Sequence, residues 1–262
     1  MLCCNVGQTI AFCGLSTLGK QRQVDRRRKA IVCPTMIDLN CDMGELEDAR
    51  HEAALMEYLT SANIACGGHA GDEASMERTA RLALARGVRI GAHPGYPDRV
   101  HFGRVEIPMP AAEIERMVRR QIERLDAVVR SLGGRIVHVK PHGALYNGAV
   151  RNTEVARAVA AGVAAWDPRV TLFGLAGSPM LDVWRQMGFE VAAEAFADRR
   201  YEPDGTLRPR KFADALIADP REAAAQALRF AREGQVRTIC VHGDTAGAVD
   251  ILKACREALL YQ

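Results

Sequence analysis

A chain of 262 residues, 48% hydrophobic and 26% charged, is long enough to bury a large core and has an ordinary globular composition. Its formal net charge of +3 is too small, and apart from "RQVDRRRK" too scattered, to suggest a nucleic-acid partner. No apolar run approaches the ~20 residues needed to span a membrane, and the eight cysteines, with no CxxC, read as reduced thiols in a cytosol.

Residues 1–35 stand apart. "MLCCNVGQTIAFCGLSTLGK" has neither a helical nor a strand period, and its positive charges follow the apolar stretch instead of preceding it, unlike a signal peptide. The segment reads as a disordered or non-native extension that adds nothing to the fold, with the domain proper beginning at Met36.

From Met36 a rhythm sets in. Strands are expected at 37–42, 63–67, 88–93, 135–141, 170–174, 189–195 and 237–242. Helices are expected at roughly 48–60, 72–86, 110–132, 152–165, 179–187, 219–233 and 245–260. The third helix is the clearest: Pro110 suits a first turn, and Ile114, Val118, Ile122, Leu125 and Val129 recur at helical spacing. Alternation of strand and helix argues for a parallel sheet with helical crossovers, and no linker divides residues 36–262.

The strand faces choose between an open sheet and a barrel. An open sheet covered by helices on both sides needs two apolar faces. Here Asp38, Asn40 and Asp42 share one face of the first strand, Glu190, Glu194 and Asp198 one face of the sixth, and His242 and Asp244 one face of the seventh. A repeatedly polar face suits a seven-stranded parallel (β/α) barrel with a polar lumen and its site at the C-terminal mouth.

The run "RIVHVKPHGALYN", residues 135–147, has the same alternation, with His138, Lys140 and His142 opposite Val137, Val139 and Pro141. Four strands end in small-residue cassettes bearing His69, His93, His142 and His242. Such turns let backbone approach a ligand and free helix N–H groups at the mouth. His138 and His142 lie about 13 Å apart along a strand, too far to share one ion. A metal would need different strands, such as Asp42, His69 and His142. Cys41, Cys66 and Cys240 read as small hydrophobes. Lys140, desolvated and near other cations, is expected to have a lowered pKa and a role in charge stabilisation or proton transfer. An ion pair with Asp42, Glu194 or Asp244 is the alternative. On the catalytic reading, Lys140→Met should leave the fold intact. No P-loop, GxGxxG after a strand or serine elbow is present.

"DLNCDMGE", "SANIACGGHAGD", "IGAHPGYPD" with "FGR", "VKPHGALYN", "FADRRYEPDG" and "ICVHGDT", in this order from residue 37 onward, resemble the LamB/YcsF family. Gly68, Glu73 and Val105, and a short stretch between Gly234 and Thr238, depart from its usual pattern. The resemblance implies a barrel similar to those of glycoside hydrolases and deacetylases. It also implies ATP-dependent opening of 5-oxo-L-proline to L-glutamate, as the A component of a 5-oxoprolinase that works with partner subunits B and C. On that reading Asp42, His69, Asp72, Lys140, His142 and Asp244 are the catalytic candidates. Asn40, Asn63, His93, Arg104, Asn147, Arg199 and His242 are the substrate-binding candidates. ATP is a co-substrate and a divalent metal remains open. Two other readings stand beside it: a stand-alone, metal-dependent hydrolase of the deacetylase type, and a non-catalytic carrier of a small acid.

Overall fold

The computed structural model describes residues 37–260, so the expectations for residues 1–35 lie outside the described residues. Seven strands close into a parallel barrel: β1 (Asp38–Met43), β2 (Ser61–Ala65), β3 (Arg89–His93), β4 (Ile136–Val139), β5 (Thr171–Leu175), β6 (Val191–Phe196) and β7 (Thr238–Cys240). Each strand pairs with the next in sequence, and β7 closes on β1 through Asp38 opposite Thr238. Among the described residues, eight helices surround or cap the strands: α1 (Ala49–Met56), α2 (Glu73–Arg86), α3 (Ala111–Ser131), α4 (Gly143–Arg151), α5 (Thr153–Ala164), α6 (Pro179–Gln186), α7 (Pro220–Glu233) and α8 (Ala248–Leu260). None is long and apolar enough to cross a membrane.

Local chemistry explains the helix ends. Asp72 caps α2 through the Ser75 backbone, and Asp219 caps α7 just before Pro220. Gly87 ends α2 at φ +67°, a left-handed conformation that glycine adopts without strain. The apolar stripe of α3 is buried as its spacing requires, from Ile114 to Val129. Burial of each such side chain contributes about 1.5–3 kcal/mol relative to exposure.

One helix departs from the sequence expectation. "GALYNGAVR" has two glycines and an asparagine, all poor helix formers. It nevertheless forms α4, because Leu145, Tyr146, Ala149 and Val150 bury one face. Strand β4 is correspondingly shorter than expected. Its pairing with β3 continues past the named strand, since Lys140 N–H donates to Ala92 O at 3.0 Å and His142 N–H to Pro94 O at 2.8 Å. The alternation therefore survives, and Lys140 and His142 keep the parity read from sequence.

The lumen is polar and filled. At its floor Asp38 accepts from Ser61, Thr60 and Thr238 hydroxyls. Above it Asn63 donates to Asn40 at 2.7 Å, and His138 Nε2 meets Asn63 Oδ1 at 2.8 Å. The His138 ring stacks on Phe173 with centroids 4.2 Å apart. Gly91 makes room for it: a Cβ there would lie 2.0 Å from His138 Nε2, where β3 and β4 shift register.

Burial pushes the His138 imidazole down to about 3, despite the opposing pull of the Asp38 carboxylate. An unfolded histidine protonates near pH ~6.5, so below that value the unfolded state binds a proton that the folded state refuses. Stability from this residue is complete above pH ~6.5 and falls as pH drops, by up to about 1.4 kcal/mol per pH unit. Urea unfolding at about pH 7.5 and about pH 5 checks this sign. His138→Gln should lose less stability between the two conditions than the unaltered protein does. An equal loss would show that His138 is not responsible.

Candidate active site

The strand ends deliver two layers of side chains to the mouth. The lower layer is an ion cluster. Lys140 Nζ lies 2.9 Å from Asp42 Oδ1, 3.0 Å from Glu194 Oε1 and 3.0 Å from Cys240 Sγ, and all four residues are buried. Tyr146 donates its hydroxyl to Glu194 at 2.9 Å, and Asn40 donates to the same carboxylate at 3.1 Å. Burial alone would depress the lysine, but the Asp42, Cys240 and Glu194 side chains raise its pKa well above the ordinary lysine value. This corrects the expectation of a lowered pKa. The lysine's neighbours are anions, and it is a fixed ammonium. Cys240 sits in the buried hydrophobic core, as expected, but its Sγ also meets this polar cluster, and burial pushes its thiol well up.

The upper layer is a knot of three histidines around Glu45. Gly44, at φ +73°, turns the chain after β1 and brings Glu45 back over the mouth. Glu45 Oε1 lies 2.8 Å from His69 Nε2, 3.7 Å from His93 Nε2 and 3.2 Å from His142 Nδ1. His69 stacks on His142 with centroids 3.6 Å apart and planes at 3°. The four ligand atoms lie within 4.8 Å of one another. Tetrahedral bonds of ~2.1 Å would set them about 3.4 Å apart, so a small shift suffices to seat one ion.

The ring tautomers sharpen this fit. His93 Nδ1 sits 2.7 Å from Lys140 O, and His142 Nε2 sits 2.8 Å from Phe102 O. A carbonyl oxygen only accepts, so both of those nitrogens carry the hydrogen. The remaining lone pairs, on His93 Nε2 and His142 Nδ1, then face each other across 2.9 Å. Two lone pairs beside carboxylates call for positive charge at this point, either a proton on His93 Nε2, which also lies 3.3 Å from Asp42 Oδ2, or a metal ion. The same surroundings raise the proton affinity of His93: burial opposes charging, and the Asp42 and Glu45 carboxylates outweigh it. Burial lowers His69 to about 4, the neutral form that ligates metals, and its Nδ1 lacks a hydrogen-bond partner. Phe102, at φ 57°, holds a left-handed conformation unusual for a non-glycine residue while it aims its carbonyl at His142.

A cavity of about 660 Å³ opens onto both layers. Asp42, His93, Lys140, His142, His242, Arg104, Asn147 and Arg199 all line it. The other sequence candidates fall elsewhere. Asp72 is an exposed helix cap whose carboxylate accepts the Ser75 N–H at 2.8 Å, which leaves it outside the cluster. Asp244 sits at the rim, paired with Arg104 at 2.5 Å and with Arg210 at 3.3 Å, instead of being a free base. Asn40 and Asn63 lie beneath Asp42 and bind it, Lys140 and each other, so they support the site without lining it. Asp42 stands beside the Glu45, His69, His93 and His142 group: its Oδ1 pairs with Lys140 at 2.9 Å and its Oδ2 lies 3.3 Å from His93 Nε2.

Sequence reasoning passed over Glu45, Tyr146 and Arg210 and did not place Asp198 at the mouth. Glu45 stands inside "DLNCDMGE", and the glycine before it was the available signal. Arg199 has an unusual setting. It is buried, one terminal N–H₂ donates to Arg208 O at 2.6 Å, and its Nε has no partner. Burial, with Arg210 and Arg104 nearby, lowers it to about 10.

The ion cluster makes a direct prediction, and it corrects the expectation that Lys140→Met would be tolerated. The substitution strands Asp42 and Glu194 in the interior without their cation. Breaking a buried pair in this way costs about 3–5 kcal/mol. Denaturant unfolding should show that loss, and adding Glu194→Gln should recover part of it. A loss below about 1 kcal/mol would contradict the cluster's role.

Residues 37–262 match the model of the LamB/YcsF family. The A component of the 5-oxoprolinase of Chloroflexus aggregans is 49% identical over 238 residues, spanning 85% of this chain and 94% of that protein. Its counterpart from Pyrococcus furiosus, of the same name, is 44% identical over 239 residues, spanning 85% and 93%. Among solved structures, a lactam utilization protein from Thermus thermophilus aligns with a TM-score of 0.78 at 40% identity, covering 86% of this chain and 96% of its own. By these matches the chain belongs to the LamB/YcsF family.

Proposed function

We propose that this chain is the A component of an ATP-dependent 5-oxoprolinase, which opens 5-oxo-L-proline to L-glutamate with partner subunits B and C. The observation that carries the reading is one cavity that presents a buried ammonium–carboxylate cluster beside the Glu45, His69, His93 and His142 knot. A volume of about 660 Å³ falls within the ordinary range of small-molecule sites and exceeds the size of a five-membered lactam acid. The names of the relatives, a 5-oxoprolinase component and a lactam utilization protein, support the same substrate class.

A lactam is a stable amide. Opening it needs an anchor for the acid, polarisation of the carbonyl and an activated water. Arg199, buried on the cavity wall with an unpartnered Nε, is assigned to the substrate carboxylate. Glu45, His69, His93 and His142 would hold a divalent cation, which supplies Lewis-acid polarisation and a water of lowered pKa when bound. Lys140 holds Asp42 ionised and fixed at the cavity floor. Phosphorylation by ATP converts the carbonyl oxygen into a better leaving group, and the described residues contain no P-loop, so ATP handling is assigned to the assembled complex. The four-ligand knot by itself would equally suit a stand-alone metal-dependent hydrolase. ATP dependence separates that reading from this one, and turnover separates both from a carrier.

Three measurements test this. The isolated chain with ATP should show little 5-oxoproline turnover, and addition of subunits B and C should restore it. Robust turnover by the chain alone would contradict the three-subunit reading. Glu45→Gln should weaken the binding of added divalent metal by roughly 10-fold or more, read by titration calorimetry on the isolated chain. Unchanged metal affinity would remove Glu45 from the ligand set. Arg199→Gln should raise KM for 5-oxoproline by roughly 10-fold or more, as loss of a charged hydrogen bond predicts. An unaltered KM would place the carboxylate elsewhere.

A further inference from the structure

On the wall formed by the ends of β6 and β7, the cavity carries a second constellation, separate from the histidine knot around Glu45. Asp198 is fully buried and accepts three kinds of donor: the His242 backbone N–H at 3.0 Å, the Thr245 hydroxyl at 2.6 Å, and His242 Nδ1 at 3.0 Å from each of its oxygens. Burial opposes its ionisation, but His242 and Thr245 hold its carboxyl below the usual range. A carboxylate accepts only, so His242 Nδ1 carries a hydrogen and the ring orientation is fixed. Phe196 stacks against the ring with centroids 5.2 Å apart and planes at 16°. Lys140 Nζ lies 5.1 Å from the centroid of that same phenylalanine, which places His242 next to the ion cluster at the cavity floor.

The opposite nitrogen is free. His242 lines the cavity, its side chain is 14% exposed, and its Nε2 has no hydrogen-bond partner among the described residues. One nitrogen pinned by a buried carboxylate and the other presented to a polar cavity is the arrangement of a positioned proton donor and acceptor. Neither the metal-ligand set nor the carboxylate anchor uses it.

We propose that His242, oriented by Asp198, is the general acid that protonates the departing ring nitrogen when the lactam opens. The proposal rests on the lactam-opening reading and completes its proton inventory. A water oxygen bonds to the carbonyl carbon, and the carbon–nitrogen bond breaks with its electron pair moving to nitrogen. That nitrogen, too basic to leave as an anion, takes the proton from His242 Nε2. The proton released by the attacking water returns to Nε2, so the ring is regenerated and the sum is lactam plus water to amino acid. When the carbonyl oxygen carries a phosphoryl group from ATP, the same ring opening, with the same proton from His242, gives an acyl phosphate, and a second water then cleaves it to phosphate and the free acid. Asp198 is a positioning residue: it touches the ring, and acts through it.

The test uses the complete three-subunit complex with 5-oxoproline and ATP. Wild-type turnover comes first, because its absence would remove the lactam-opening reading itself, before any variant is made. With an active wild type, His242→Gln and Asp198→Asn should each lower kcat with KM within about threefold, and for His242→Gln the loss should be roughly 100-fold or more. Melting temperatures of the isolated chains establish that the variants fold. His242→Gly provides the second line, since added imidazole should restore its turnover by about tenfold or more if the missing function is proton donation. Three results would each overturn the proposal: kcat of His242→Gln within about threefold of wild type, a loss carried by KM, or a folded His242→Gly that does not respond to imidazole.

Discussion

Lys140 is the residue on which the mouth depends. Its ammonium bridges Asp42 at the end of β1 and Glu194 on β6, and it also touches Cys240 on β7. Strands far apart along the chain are thereby tied to one charge. Such a cluster is a poor source of net stability, because desolvating ions costs about as much as their attraction returns. It offers fixed geometry instead. Asn40 and Asn63 donate to the same Glu194 and Asp42 oxygens that Lys140 meets, and Tyr146 donates to the other Glu194 oxygen, so the floor of the cavity is rigid and well hydrogen-bonded.

Above that floor the mouth divides by element. The ends of β1, β2, β3 and β4 and the turns that follow them supply Glu45, His69, His93 and His142. The ends of β6 and β7 supply Asp198 and His242. Arg104 and Arg210 occupy the rim, both balanced by Asp244, and Arg199 lies buried on the wall beside them. The electron-rich knot, the proton-carrying ring and the cationic rim are therefore distinct regions of one small cavity. The proposed amide opening would use such a separation, because polarising a carbonyl, protonating an amine and holding a carboxylate require three environments of different charge.

Much of this was legible in the residues. Strand parity in "IDLNCD" and "VHVKPH" placed Asp42, Lys140 and His142 on one inner face, and the barrel follows from that repeated polar face. The failures have physical causes. Helix α4 was missed because burial of Leu145 and Tyr146 overrode the poor propensities of its glycines and asparagine. Glu45 was missed because it lies beyond the strand, on a turn whose direction is set by Gly44 and invisible to periodicity. Asp72 was misplaced because a capping aspartate and a catalytic one look alike in sequence. The sign of the Lys140 shift was misjudged because the flanking histidines were read as cations, whereas burial pushes His138 down to about 3 and the closest groups are carboxylates.

The central claim is that a divalent cation and the lactam acid share this cavity. Diffraction from crystals of the chain grown with zinc and 5-oxoproline tests it most directly. Anomalous scattering should be centred among Glu45, His69, His93 and His142, with the lactam carboxylate on Arg199. A lactam bound outside the cavity, or a cation bound away from those four side chains, would contradict it.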